Sequence, residues 1–167
     1  MGKKLSPETL ESFFNLDRIM NREGLDGPDL DEWFQLCATV SSSLSGPSNA
    51  GANERTALRV PMSFPAKIKI GDKTFDGKTR NVSVQGISLS SQSKLPINNR
   101  TVHVSVVFSF PRFLRRAEKT SMSFSGHVRW SKIGETSIMN LEFVPLPHDD
   151  FEALEAILHR YIKMQIA

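Results

Sequence analysis

Cysteine is almost missing from this chain. Cys37 is the single one in 167 residues, which excludes an intramolecular disulfide framework and any cysteine-based zinc site. Long apolar runs are missing too: none approaches the roughly 18 residues a membrane-spanning helix needs. The N-terminus shows no charged-then-apolar leader. A soluble, cytoplasmic protein is therefore expected. The common catalytic signatures are also absent. There is no G-x-S-x-G elbow after a strand, no G-x-x-x-x-G-K-[ST] and no G-x-G-x-x-G. His103, His127, His148 and His159 are scattered, with no carboxylate at ligand spacing, whereas a metal needs three or four convergent ligands. Cys37 falls on the apolar face of a helix, where it reads as core. Asp149 and Asp150 stand where a helix start favours acids. No metal, no cofactor and no enzymatic activity are expected.

What is present has ordinary globular proportions, 39% hydrophobic and 23% charged, in a chain long enough for one domain and a small appendage. The formal net charge of +3 conceals an asymmetry. Residues 1–46 carry four basic against eight acidic residues, and the remainder carries 17 against 10. An acidic segment followed by a basic one points to two units with different partners, the basic one suited to an anion.

Ser6-Pro7 offers an N-cap and a first-turn proline. Leu10, Phe13, Phe14 and Ile19–Met20 then recur at helical spacing, and Gly24 stops them. A second helix follows Gly27-Pro28, with Leu30, Trp33, Phe34, Cys37 and Val40 on one face. The pair makes a helical hairpin over residues 1–46. The uncharged stretch SSSLSGPSNAGAN, residues 41–53, has linker composition, and 47–53 is set as the linker itself. Residues 54–167 form the second unit. There MSFPAKIKI, KTFDGKTRNV, GISLS, TVHVSVVFSF, TSMSFSGHVRW and TSIMNLEFV alternate apolar with polar residues. Gly71-Asp72, Asp76-Gly77, Pro96–Asn99, Pro111 and Gly134 read as turns. About six strands without an intervening helix argue for a meander closed into a small barrel. A C-terminal helix carries Phe151, Leu154, Ile157, Leu158, Tyr161 and Ile162 as a stripe expected to lie across the barrel.

Two features suit ligand binding. Arg55 and Arg59 in ERTALR give two planar forks four residues apart, each able to grip phosphate or the O6/N7 edge of guanine. In NVSVQG, Asn81 and Ser83 alternate onto one side of a strand end, and Gly86 permits a tight turn or a close backbone approach. On simple alternation Arg80 points the other way. The loop FPRFLRR, with Arg112, Arg115 and Arg116 beside Phe110 and Phe113, offers weaker support for single-stranded nucleic acid; a solvated loop is the blander reading.

R-T-A-L-R followed by N-V-S-V-Q-G, then G-H-V-R-W and I-M-N-L-E-F, resembles the PilZ domain family over about residues 53–165. The resemblance implies a mainly β fold: a six-stranded antiparallel PilZ-type barrel with a C-terminal helix, preceded here by the helical hairpin, α+β overall. It also implies a receptor for the bacterial second messenger cyclic di-GMP. On that resemblance Arg55 and Arg59 clasp guanine and phosphate, while Asn81, Ser83 and Gly86 complete the guanine pocket. Asn81 stands where many members have Asp, and Glu54 stands where many have a further arginine. A protein partner is expected at the N-terminal helices. Two rival readings stay open: a PilZ-like adaptor that binds no nucleotide, and a basic barrel binding single-stranded nucleic acid.

Overall fold

The computed structural model describes residues 3–45, 56–96, 101–112, 115–132 and 134–167, with the side chains of 45, 112, 115–117 and 130 set aside. The chain divides into two compact units, Met1–Pro61 with Glu152–Ala167, and Met62–Phe151.

In the first unit, helix α1 spans Pro7–Arg22 and helix α2 spans Gly27–Ser45. Ser6 caps α1 by accepting the Thr9 N–H on its hydroxyl at 3.2 Å, which satisfies one of the amides left free at a helix start. A two-residue strand, β1, spans Val60–Pro61, and helix α3 spans His148–Ile166. The buried face of α1 is Leu10, Phe13 and Asp17, while Ile19 is exposed. A carboxylate thus takes a core position that periodicity alone assigns to an apolar residue. It is fully engaged there. Asp17 accepts from the Trp33 indole N–H at 3.1 Å and from Asn21 at 3.3 Å, and lies 2.7 Å from His159 Nε2. Asn21 also donates to the buried Glu155, which Arg22 grips through both nitrogens at 2.8 and 3.3 Å. Burying these groups is tolerable because each has partners. The backbone N–H of Leu5 donates to Ile166 at 2.8 Å. Within this unit α3 is thus tied to α1 through His159 and Glu155.

Helix α2 continues through Ser41–Ser45, the start of the stretch whose composition suggests a linker. Ser41 and Ser43 are buried, and Ser43 donates to the Thr39 carbonyl one turn back at 3.0 Å, so that hydroxyl is satisfied within the helix. Cys37 is buried, and burial, aided by the nearby Asp17 carboxylate, pushes its thiol far above the usual range.

The second unit holds six strands: β2 Pro65–Ile70, β3 Lys73–Val82, β4 Gly86–Ser91, β5 Val102–Arg112, β6 Arg115–Lys132 and β7 Ser137–Phe143. They pair antiparallel in the order β3-β2-β5-β6-β7-β4, and β4 pairs back onto β3. That closes a six-stranded barrel and leaves no free edge among them. Period-two alternation puts Ile68, Leu89, Val104, Val106, Phe108 and Met139 inside. Phe124 and Phe143 stack at 4.7 Å, and Phe64 meets Phe108 edge-on at 5.5 Å.

Two turn assignments fail. Asp76 and Gly77 lie within β3, opposite Lys67 and Ala66. A Cβ on Gly77 would meet the Ser90 carbonyl oxygen at 2.6 Å, so this glycine answers to strand packing rather than to a turn. Pro111 lies in β5, where the register with β6 shifts between Phe110 and Arg112; a bulge is where a strand accommodates a residue without an N–H. The Gly71 turn stands, with φ at 61°.

The helical network gives two expected outcomes. Asp17→Ala leaves the Trp33 and His159 nitrogens without their acceptor and lowers unfolding free energy by about 1–3 kcal/mol for each orphaned group, read by urea titration of tryptophan fluorescence; an unchanged midpoint contradicts it. Cys37 reacts with a disulfide reagent at pH 8 only after unfolding, since a buried, protonated thiol is inert; rapid labelling of the native chain contradicts that.

Candidate functional site

The polar motif at the end of β3 is a tight hairpin. Ser83 N–H donates to the Gly86 carbonyl at 2.9 Å, and Ser83 Oγ accepts the N–H groups of Gln85 and Gly86, both at 3.2 Å. Serine is suited to this corner because its short side chain folds back onto its own following backbone. The hydroxyl is buried and its bonding capacity is spent within the turn. Phe143 N–H donates to the Gln85 carbonyl at 2.8 Å, fixing the turn to β7.

Gly86 serves packing. A Cβ there would stand 2.3 Å from the Leu141 carbonyl oxygen on β7, and backbone cannot swing aside as a side-chain tip can. The space on which this position depends is occupied by a neighbouring strand.

Asn81 pairs with Ser88 across the hairpin, and Ser88 with Asn140 of β7. Its amide is half-buried and has no hydrogen-bond partner among the described residues. Within the motif, Asn81 is the side chain with donors and acceptor unspent.

The register of β3 shifts between Thr79 and Asn81, leaving Arg80 as a bulge residue. Thr79 and Val82 are buried, while Arg80 is exposed and Asn81 intermediate. Two consecutive residues thus stay off the core: Arg80 continues the outward row of Asp76 and Lys78, and the bulge turns Asn81, which strict alternation would send inward, to the same side. Two residues, not one, separate consecutive inward positions in T-R-N-V, and that broken period is the signal in the sequence. Thr79 holds the neighbouring backbone: its hydroxyl donates to Met62 O at 2.6 Å and accepts Phe64 N–H at 2.9 Å. Met62 N–H donates to Arg80 O at 3.2 Å.

Charges on the outside of the barrel are partly cancelled. Arg129 forms an ion pair with Glu142, and Lys67 with Asp76. The hydrogen bond from Arg129 holds the Glu142 carboxyl below its ordinary range, and the same bond raises the guanidinium.

Asn81, Ser83 and Gly86 are therefore brought together in one hairpin of the second unit. Arg59 is exposed in the first unit. Arg55 and Glu54 lie outside the described residues. In FPRFLRR, Phe110 is buried in the barrel core, which removes one of the aromatic faces a nucleic-acid strand could stack on; Phe113 lies outside the described residues. Among the described residues no group of histidine, cysteine and carboxylates could hold a metal ion.

The sequence model of the PilZ domain matches residues 53–160. No curated protein matches the chain. Two solved structures are similar. The Bacillus subtilis inhibitor of motility (MotI/DgrA) aligns at TM-score 0.53 with 16% identity, over 67% of this chain and 52% of that one. The Borreliella burgdorferi PlzA protein, in complex with c-di-GMP, aligns at TM-score 0.42 with 13% identity, over 81% and 58%. The chain thus spans between half and three-fifths of the length of those proteins.

Gly86→Ala forces the β7 carbonyl away and costs about 1–3 kcal/mol of stability, measurable by thermal unfolding. A melting temperature equal to the parent protein's contradicts the close approach.

Proposed function

The chain belongs to the PilZ domain family, and from that premise we propose that it is a bacterial receptor for cyclic di-GMP, acting by binding rather than catalysis. The observation that carries this reading is the hairpin at Asn81–Gly86. Its backbone is fixed by Ser83 Oγ and by β7, and it presents an amide with no partner among the described residues. An amide offers both a donor and an acceptor to a guanine edge. A turn held in advance loses little conformational freedom when ligand arrives.

Arg59 and Arg55 supply guanidinium forks for guanine and phosphate in this proposal. Arg59 precedes by three residues Met62, whose backbone is bonded to Thr79 and Arg80 beside Asn81. Ligand binding changes the protein's conformation, and the change is passed to a protein partner through the N-terminal helices. The receptor works in the cytoplasm. No helix among the described residues is long and apolar enough to cross a membrane.

Calorimetric titration with cyclic di-GMP tests this. Saturable binding at micromolar concentration or tighter is expected, with GTP and a cyclic dinucleotide lacking guanine as non-binding controls. Arg59→Ala and Asn81→Ala each weaken binding by about tenfold or more, the scale of a lost charged or bidentate contact. A folded protein that releases no heat at high ligand contradicts the proposal.

A further inference from the structure

We infer that Arg80, which the β3 bulge sets on the same side as Asn81, is a further contact of the nucleotide site and binds a phosphodiester of the ligand. The inference rests on the receptor reading above. Its basis is local to the barrel.

The first observation is geometric. A bulge re-aims side chains that regular alternation would send to opposite faces. Between the buried Thr79 and the buried Val82, both Arg80 and Asn81 remain off the core. The guanidinium therefore belongs to the residue adjoining the motif amide, on a backbone pinned on one side by Met62 N–H at 3.2 Å and on the other by pairing of Asn81 with Ser88.

The second observation is electrostatic. Of the carboxylates flanking this surface, Asp76 is paired with Lys67 and Glu142 with Arg129. Strand β4, GISLSS, carries no charge. Arg80 and the exposed Lys78 thus have no acidic partner among the described residues. Uncompensated like charges two residues apart on one strand repel each other, and a dianion relieves that repulsion. Arginine is the better phosphate ligand of the two, because its planar fork donates two parallel hydrogen bonds whereas an ammonium acts as a point charge. Lys78 contributes field; Arg80 makes the contact.

The test is a titration of the full chain with cyclic di-GMP at low and physiological ionic strength, comparing the parent protein with Arg80→Gln and Arg80→Lys. Glutamine keeps much of the stem and removes the charge. Arg80→Gln is expected to bind about tenfold more weakly, the scale of one charge-assisted contact, with a shallower salt dependence. Arg80→Lys is expected to keep the salt dependence and recover only part of the affinity. Circular dichroism melts within about 2 °C of the parent's, as for an exposed residue, exclude a structural cause. If the parent binds and both variants match it in affinity and salt dependence, Arg80 is not a contact and the receptor reading survives. If the folded parent does not bind, both fall together.

Discussion

The close passage of β7 between β4 and β6 is the constraint on which the barrel depends. At Gly86 on β4 a side chain would collide with the Leu141 carbonyl, and at Gly126 on β6 it would come within 2.8 Å of the Glu142 carbonyl. Both glycines press on the same short piece of β7 from opposite sides. Strands pulled this near can bend and close, and closure pairs β4 with β3. Closure also fixes where the Asn81–Gly86 hairpin stands, because that hairpin joins β3 and β4. Glycine in this motif is a requirement of the sheet before it is anything for a ligand.

The same hairpin divides its labour by residue. Ser83 spends its hydroxyl on the backbone of its own turn, and Gln85 lends its carbonyl to β7. What is left unspent is Asn81, neutral and able both to donate and to accept, where an ionised aspartate only accepts. A neutral amide also leaves the positive charge of Arg80 and Lys78 undiminished. Elsewhere on the barrel surface, acid and base cancel in the Lys67–Asp76 and Arg129–Glu142 pairs. The excess charge of the basic unit is thus not spread evenly among the described residues.

Much of this was legible in the sequence, for a physical reason: alternation reports a half-buried strand directly. The barrel strands, the capped first helix and the serine turn all follow from local rules. The failures share a cause as well. Asp76-Gly77 has turn composition, but the glycine is there because Ser90 crowds it across the sheet. Pro111 reads as a turn, but it lies in β5 where the register with β6 shifts. Asp17 carries no local signal of burial, yet partners at positions 33 and 159 hold it in the core. Each misreading concerns a residue whose environment comes from a distant part of the chain. The bulge at Arg80 is the intermediate case: its broken period is visible locally, but the strand that makes it a bulge is β4. Of the candidate ligand residues, Asn81, Ser83 and Gly86 converge in one hairpin, Arg59 is exposed in the other unit, and Arg55 lies outside the described residues.

The central claim is that the ligand surface is this hairpin. Backbone amide chemical shifts, followed residue by residue during titration of the full chain with cyclic di-GMP, address it most directly. The account predicts that the largest saturable shifts fall on Thr79–Ser88 and on Arg59, with the β5–β6 strand ends unchanged. Saturable shifts confined to the β5–β6 strand ends, with Asn81–Gly86 unmoved, would contradict it.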